Sequence, residues 1–158
     1  ARSRGLGDVY KRQACMLGHK FSVVTTNNEW EPLLWDAVNH YGLSRRCASV
    51  RSTGLPVLAL EHMSEEETYN MIRGAAHKAI EQDGAEVICL GCAGMAGIDK
   101  RLEQDFNVPV LDGIVCALKF LEAMVGYGVK TSKRLAYAKP NAKELANLPP
   151  VFEQATLR

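Results

Sequence analysis

Of the residues in this chain that can carry chemistry, Cys92 has the most suggestive setting. It lies in the run Gly91-Cys92-Ala93-Gly94-Met95-Ala96-Gly97, directly after the strand-like stretch Glu86 to Leu90. Gly91 and Gly94 flank the thiol and leave the backbone exposed just before a helix is expected to start. Amide groups and the helix dipole at such a point favour negative charge, so they can bind an anionic ligand group and lower a thiol pKa below its usual ~8.5. That describes an activated cysteine. It describes equally well a small residue in a tight turn, cysteine being among the most buried residue types, and spacing leaves both readings open.

Cys89 and Cys92 also form a C-x-x-C pair, a spacing found in redox sites and in half of a zinc site. There is no second cysteine pair, and His19, His40, His62 and His77 show no ligand spacing relative to one another, so no metal is expected. A redox pair needs both sulfurs at a helix start, whereas Cys89 falls inside Val87-Ile88-Cys89-Leu90 and reads as a buried strand residue. Five cysteines (Cys15, Cys47, Cys89, Cys92, Cys116) scattered through apolar segments read as reduced thiols.

The elements that must position such a site follow from periodicity. Short apolar runs alternate with longer amphipathic ones, the pattern of a parallel α/β layer. Strands are predicted over Phe21 to Val24, near Cys47 to Val50, over Glu86 to Leu90 and over Val108 to Leu111. Between the first two, Asn28 can cap a helix carrying Leu33, Leu34, Ala37, Val38 and Tyr41, which Gly42 ends. Beyond Arg51-Ser52-Thr53-Gly54 and the apolar run Pro56 to Leu60, Ser64-Glu65-Glu66-Glu67 makes a capping box. The helix it opens bears Met71, Ile72, Ala75, Ala76, Ala79 and Ile80 and stops at Asp83-Gly84. Leu102 and Phe106 mark a short helix, and Val115, Leu118, Leu121, Met124 and Val125 mark the helix after Asp112-Gly113. An open, parallel four-stranded sheet with flanking helices is the expected fold.

In such a sheet ligands bind beyond the carboxyl ends of the strands. The rule selects Thr25 and Thr26, Arg51 to Thr53, Cys92 and Asp112. For Thr25 and Thr26, turn or capping bonds compete with ligand contact, because Thr hydroxyls often bond nearby backbone. Asp112 reads as a helix cap in preference to a catalytic acid.

Composition narrows the function classes. The chain has 158 residues, 47% of them apolar, with 19 Lys plus Arg against 18 Asp plus Glu. That balance provides no basic field for nucleic acid or an anionic membrane, and no apolar run approaches the roughly 20 residues of a membrane span. A cytoplasmic protein is expected. The chain opens with Ala1, and Ala1 to Gln13 (ARSRGLGDVYKRQ) shows no periodicity and resembles translated adaptor read-through. It is therefore expected to be foreign, with the native protein starting upstream, an α/β lobe over 14–128 and a polar C-terminal segment over 129–158.

At Cys92 a family resemblance becomes specific. Ile88 to Gly97 (ICLGCAGMAG) resembles the signature around the second catalytic cysteine of the hydantoin and allantoin racemases, in the aspartate/glutamate racemase superfamily. Leu17 to Thr26 (LGHKFSVVTT), Arg46 to Val50 (RCASV), Gln82 to Leu90 (QDGAEVICL), Val108 to Gly113 (VPVLDG) and Thr131 to Lys133 (TSK) agree in order and spacing, so the match runs from Ala14 to about Lys143. The resemblance implies two similar α/β lobes with the active site between them, each contributing one cysteine, no cofactor or metal, a hydantoin- or allantoin-type substrate and a homo-oligomer. It makes Cys92 one of two proton-transfer residues. Substrate binding falls to Thr25, Thr26, Gly91, Ala93, Gly94 and Met95, and residues 129–158 return to the amino-terminal lobe.

The family's first cysteine lies upstream of the matching segment, and Cys15 does not replace it, falling as it does in the helix before the first strand. The resemblance thus implies that this piece alone is inactive. An arylmalonate-type decarboxylase with a single cysteine and a non-catalytic anion-binding module are the competing expectations.

Overall fold

Alternate residues of each strand enter two separate apolar layers, and the sheet between them fixes everything else. The computed structural model describes residues 8–56 and 62–139. In chain order the elements are α1 (Val9–Leu17), β1 (Phe21–Thr25), α2 (Trp30–His40), β2 (Cys47–Ser52), α3 (Glu65–Glu81), β3 (Val87–Leu90), α4 (Asp99–Phe106), β4 (Val110–Asp112) and α5 (Gly113–Tyr127). The four strands are parallel in the order β2-β1-β3-β4. Val24, Ile88, Leu90 and Val110 pack with Tyr69, Ile72, Ala76 and Leu102 of α3 and α4. Phe21, Val23, Val87 and Cys89 pack on the opposite face with Tyr10, Ala14, Val38 and Cys116. The expected open parallel sheet with helices on its faces is the observed architecture.

Helix α3 follows the sequence closely. Ser64 and Glu67 satisfy each other's amides, Glu67 N donating to Ser64 Oγ at 3.2 Å and Ser64 N to Glu67 Oε2 at 3.1 Å. Gly84 closes the helix at φ +72, donating to Ile80 O, a left-handed geometry that a side chain would strain. Met71, predicted on the buried stripe, is 41% exposed.

Other expectations need correction. Asn28 does not cap α2: Glu29 holds the N-cap position without a side-chain cap bond, and Asn28 turns its carboxamide to the Ser52 hydroxyl. Leu33 is exposed, while Val38 is the residue of α2 that is fully buried. β1 and β2 each run past their apolar stretch, because pairing of Val24 with Arg51 and Thr25 with Ser52 continues the ladder. β4 begins at Val110, two residues after the predicted start. The apolar face of α5 is reversed. Val115, Leu118, Leu121, Met124 and Val125 are exposed, and Cys116 is the residue that meets the sheet. Residues 9–13, left outside the fold by their sequence, form the first turns of α1, with Val9, Tyr10 and Lys11 buried. Most of the Pro56 to Leu60 run, and Lys143, lie outside the described residues.

The chain divides into two units, residues 1–123 and 124–158, so the division falls inside α5, short of Gly128. The described part of the second unit is the end of α5 and a single 3-10 turn, Leu135–Tyr137, with all its described residues exposed. Among the described residues no helix is long and apolar enough to cross a membrane.

One side chain ties α1 to the sheet. Arg46, at the entrance to β2, donates to the carbonyls of Cys15 (2.8 Å), Gly18 (2.7 Å) and His19 (2.6 Å). These are carbonyls at and just past the end of α1, where helical acceptors run out and a cation is favoured. Arg46→Ala should lower stability by about 1–3 kcal/mol, read by urea unfolding. Arg46→Lys should recover only part, since an ammonium lacks the planar fork of donors.

Candidate functional site

The site begins with a close approach between neighbouring strands. Where β3 ends, Gly91 donates its amide to Val24 O of β1 at 2.7 Å. A Cβ at Gly91 would lie 2.9 Å from Val23 Cγ1 and 3.1 Å from Val24 O. Only glycine fits there without displacing β1, which explains this residue sterically, and its amide is already committed. Cys92 follows in extended conformation (φ −135, ψ 135), half-buried at the carboxyl edge of the sheet.

A helix directly after Cys92 was expected, and the structure differs. Ala93–Met95 form one 3-10 turn, and the next helix, α4, starts only at Asp99. Met95 N donates to Cys92 O at 3.0 Å, and the Met95 side chain is fully buried in the core. The Gly91 and Met95 amides are therefore engaged within the fold, and those of Ala93 and Gly94 are not. Among the described residues neither of those amides has an acceptor in the chain. The groups at this turn that can face negative charge are its free amides, since α4 starts only at Asp99 and its macrodipole falls off within the first turn.

Cys92 separates two depressions. One, of about 250 Å³, is lined by Thr25, Thr26, Trp30 and Leu34 together with Gly91, Cys92 and Ala93. The other, of about 520 Å³, has Gly91, Cys92 and Ala93 on one side and Tyr10, Asp112, Ile114 and Leu118 among its other walls. Thr25 and Thr26 are thus brought beside the thiol as the strand-end rule predicts. Thr53 holds them there, its amide donating to Thr25 O and its hydroxyl to Thr26 O, both at 2.9 Å. Among the described residues neither threonine hydroxyl is engaged by another protein group. Trp30 was not singled out, and Leu34 was placed only on the apolar stripe of α2, because helical periodicity does not report which apolar residues wall a depression.

Arg51 belongs elsewhere. Its guanidinium makes a bidentate pair with Asp83 (2.5 and 2.7 Å), which holds the Asp83 carboxyl below the usual carboxylate range. The pair lines a separate cleft of about 460 Å³ against α3, which contains no thiol. Asp112 caps α5 as expected, its Oδ1 accepting from Ile114 N at 2.7 Å and Val115 N at 3.3 Å. Its Oδ2 is buried with no hydrogen-bond partner.

Burial governs three of the other sulfurs. Burial raises the Cys47 thiol to about 12 and pushes Cys89 well above its ordinary value, so neither forms thiolate near neutral pH. Cys116 is also raised, chiefly by burial. None of these sulfurs lines either depression beside Cys92. Among the described residues no group of three His, Cys, Asp or Glu side chains is placed to hold a metal ion.

With this geometry in hand, comparison with known proteins is specific. The family model Asp/Glu/Hydantoin racemase matches residues 4–121. A hydantoin racemase from Pseudomonas sp. (strain NS671) is 43% identical over 131 residues, covering 83% of this chain and 52% of the relative. One from Rhizobium meliloti is 41% identical over 133 residues, covering 84% and 55%. Among solved structures, an allantoin racemase from Pseudomonas fluorescens superposes with a TM-score of 0.79 at 42% identity, over 90% of this chain and 60% of that one. An allantoin racemase from Klebsiella pneumoniae gives 0.82 at 33% identity, over 90% and 58%. The chain spans about half the length of the curated relatives it matches.

Two outcomes follow from the site geometry. Gly91→Ala should cost about 1–3 kcal/mol of stability in denaturant unfolding, because the added methyl has no free space. In iodoacetamide mapping from pH 7 to 9, Cys92 should be modified while Cys47 stays protected. A thiol raised to about 12 is only about one-thousandth thiolate at pH 9.

Proposed function

Because this chain belongs to the Asp/Glu/Hydantoin racemase family, we propose that the protein inverts a carbon adjacent to a carbonyl, in a 5-substituted hydantoin or allantoin, without a cofactor. The observation that carries the reading is Cys92 itself, a half-buried thiol at the carboxyl edge of the sheet between two depressions, with the unpaired amides of Ala93 and Gly94 beside it. The carbonyl makes the neighbouring C–H acidic. The Cys92 thiolate removes that proton, and the electron pair moves into the carbonyl as an enolate. The free amides then face the growing negative charge, a contribution of roughly 10²- to 10³-fold for one such donor. A proton delivered from the opposite face completes inversion, and reversing the roles of the two groups runs the reaction backwards.

Only one thiol of this chain lines the depressions. The second acid-base group is therefore assigned to a part of the protein beyond the described residues, in keeping with a match to about half of each relative. On this reading the substrate lies between two lobes, and the 158-residue chain alone has no racemase activity. The lone thiol also suits a second reading, one-sided protonation of the enediolate left when an arylmalonate loses carbon dioxide.

The test is to follow an enantiopure 5-substituted hydantoin and allantoin by circular dichroism with the full-length protein, and an arylmalonate by carbon dioxide release. Racemisation with solvent deuterium incorporation supports the first reading, and decarboxylation alone supports the second. Cys92→Ser should reduce turnover at least 10²-fold, the lower end of what a positioned acid-base group provides, with unchanged unfolding. Wild-type rates in that variant would remove Cys92 from the mechanism.

A further inference from the structure

We propose that Asp112 is a substrate-binding residue of this site, its free carboxyl oxygen accepting a ring N–H of the substrate. The inference rests on the racemase reading above and adds how the site recognises its substrate.

Asp112 is the last residue of β4 and pairs in register with Leu90, two residues before Cys92. Its two oxygens have different roles. Oδ1 is fixed by the first amides of α5, which holds the carboxyl group in one orientation. Oδ2 is buried and, among the described residues, has no hydrogen-bond partner, in a residue only 5% exposed. A buried acceptor left empty is costly, and native structures keep few of them, often at functional sites. This residue lines the same depression as Cys92 and Ala93, and among the described residues no Lys or Arg side chain lines it with them. The missing donor is therefore best supplied by a ligand.

The donors and acceptors around the depression have a pattern. Ala93, on its wall, has an unpaired amide that can donate to a carbonyl oxygen, while Asp112 supplies an acceptor. Together they complement a –C(=O)–NH– unit, which a hydantoin ring and the ring of allantoin both contain. A substrate carboxylate would instead meet an acceptor oxygen with no cation beside it. The site thus favours a neutral cyclic amide over a malonate, and helix capping explains only half of Asp112.

The experiment compares wild-type and Asp112→Asn full-length protein on a 5-monosubstituted hydantoin and its N1-methyl and N3-methyl analogues, with melting curves for each variant. Asn keeps the capping oxygen and replaces the free oxygen with an N–H donor. Wild-type protein should lose at least tenfold in kcat/KM on one methylated analogue. Asp112→Asn should raise KM at least tenfold on the parent compound, keep its melting temperature, and no longer distinguish the parent from that analogue. Asp112→Ser, which retains a cap but lacks the second oxygen, should also raise KM and serves if the Asn variant folds poorly. Unchanged KM in these variants overturns the proposal and leaves Asp112 a helix cap. If wild-type protein racemises none of the compounds, the racemase reading falls and this inference with it.

Discussion

The contact between Gly91 and β1 is the constraint on which the rest of the site depends. With the Gly91 amide 2.7 Å from Val24 O and no room for a Cβ, the end of β3 lies flush against β1. Two consequences follow from one close approach. Cys92 leaves the sheet next to Thr25 and Thr26, and the turn after it points its first amides away from the core. A larger residue at position 91 would separate thiol and threonines by moving a strand that is buried along its whole length. Interiors at crystal-like packing density offer no slack to absorb such a shift.

Around that contact the chain fastens strand ends to one another by backbone acceptors. Thr53 binds the carbonyls of Thr25 and Thr26, Glu31 accepts the Ser52 amide at 2.7 Å, and Arg46 gathers three carbonyls at the other edge of the sheet. Each removes a backbone oxygen or amide from the list of groups a ligand can use. Among the described residues, the groups left unpaired beside Cys92 include the amides of Ala93 and Gly94, the Thr25 and Thr26 hydroxyls and one Asp112 carboxyl oxygen. Selectivity among the thiols arises in the same way. Cys89 and Cys92 are three residues apart, yet one is sealed inside a central strand and the other opens onto two depressions.

Much of this was legible in the residues. Ser64 with Glu67, Gly84 after α3 and the apolar run Phe21 to Val24 are local signals, since caps, left-handed turns and strands depend on neighbours within a few positions. A topological rule that needs only parallel strands selected Thr25, Thr26, Cys92 and Asp112, and with them Arg51 to Thr53, of which Arg51 pairs with Asp83 at a separate cleft. Asn28 and Leu33 misled because α2 is oriented by packing against β1 and β2, which local spacing does not report. The outward face of α5 misled for a related reason: an apolar stripe announces burial, but not against which surface.

What the sequence by itself determined is therefore the sequence of elements, the parallel sheet and the position of one thiol at a strand end, because each follows from short-range patterning. Tertiary structure alone decided which groups at that end stay free. Whether an amide, hydroxyl or carboxyl oxygen is available to a ligand depends on partners far away in the chain, such as Thr53 for Thr25 and Thr26, or Val24 for Gly91. Asp112 carries both halves of the lesson. Its Oδ1 cap is a local bond to residues two and three positions on, whereas the burial of Oδ2 without a partner among the described residues is a product of the folded chain.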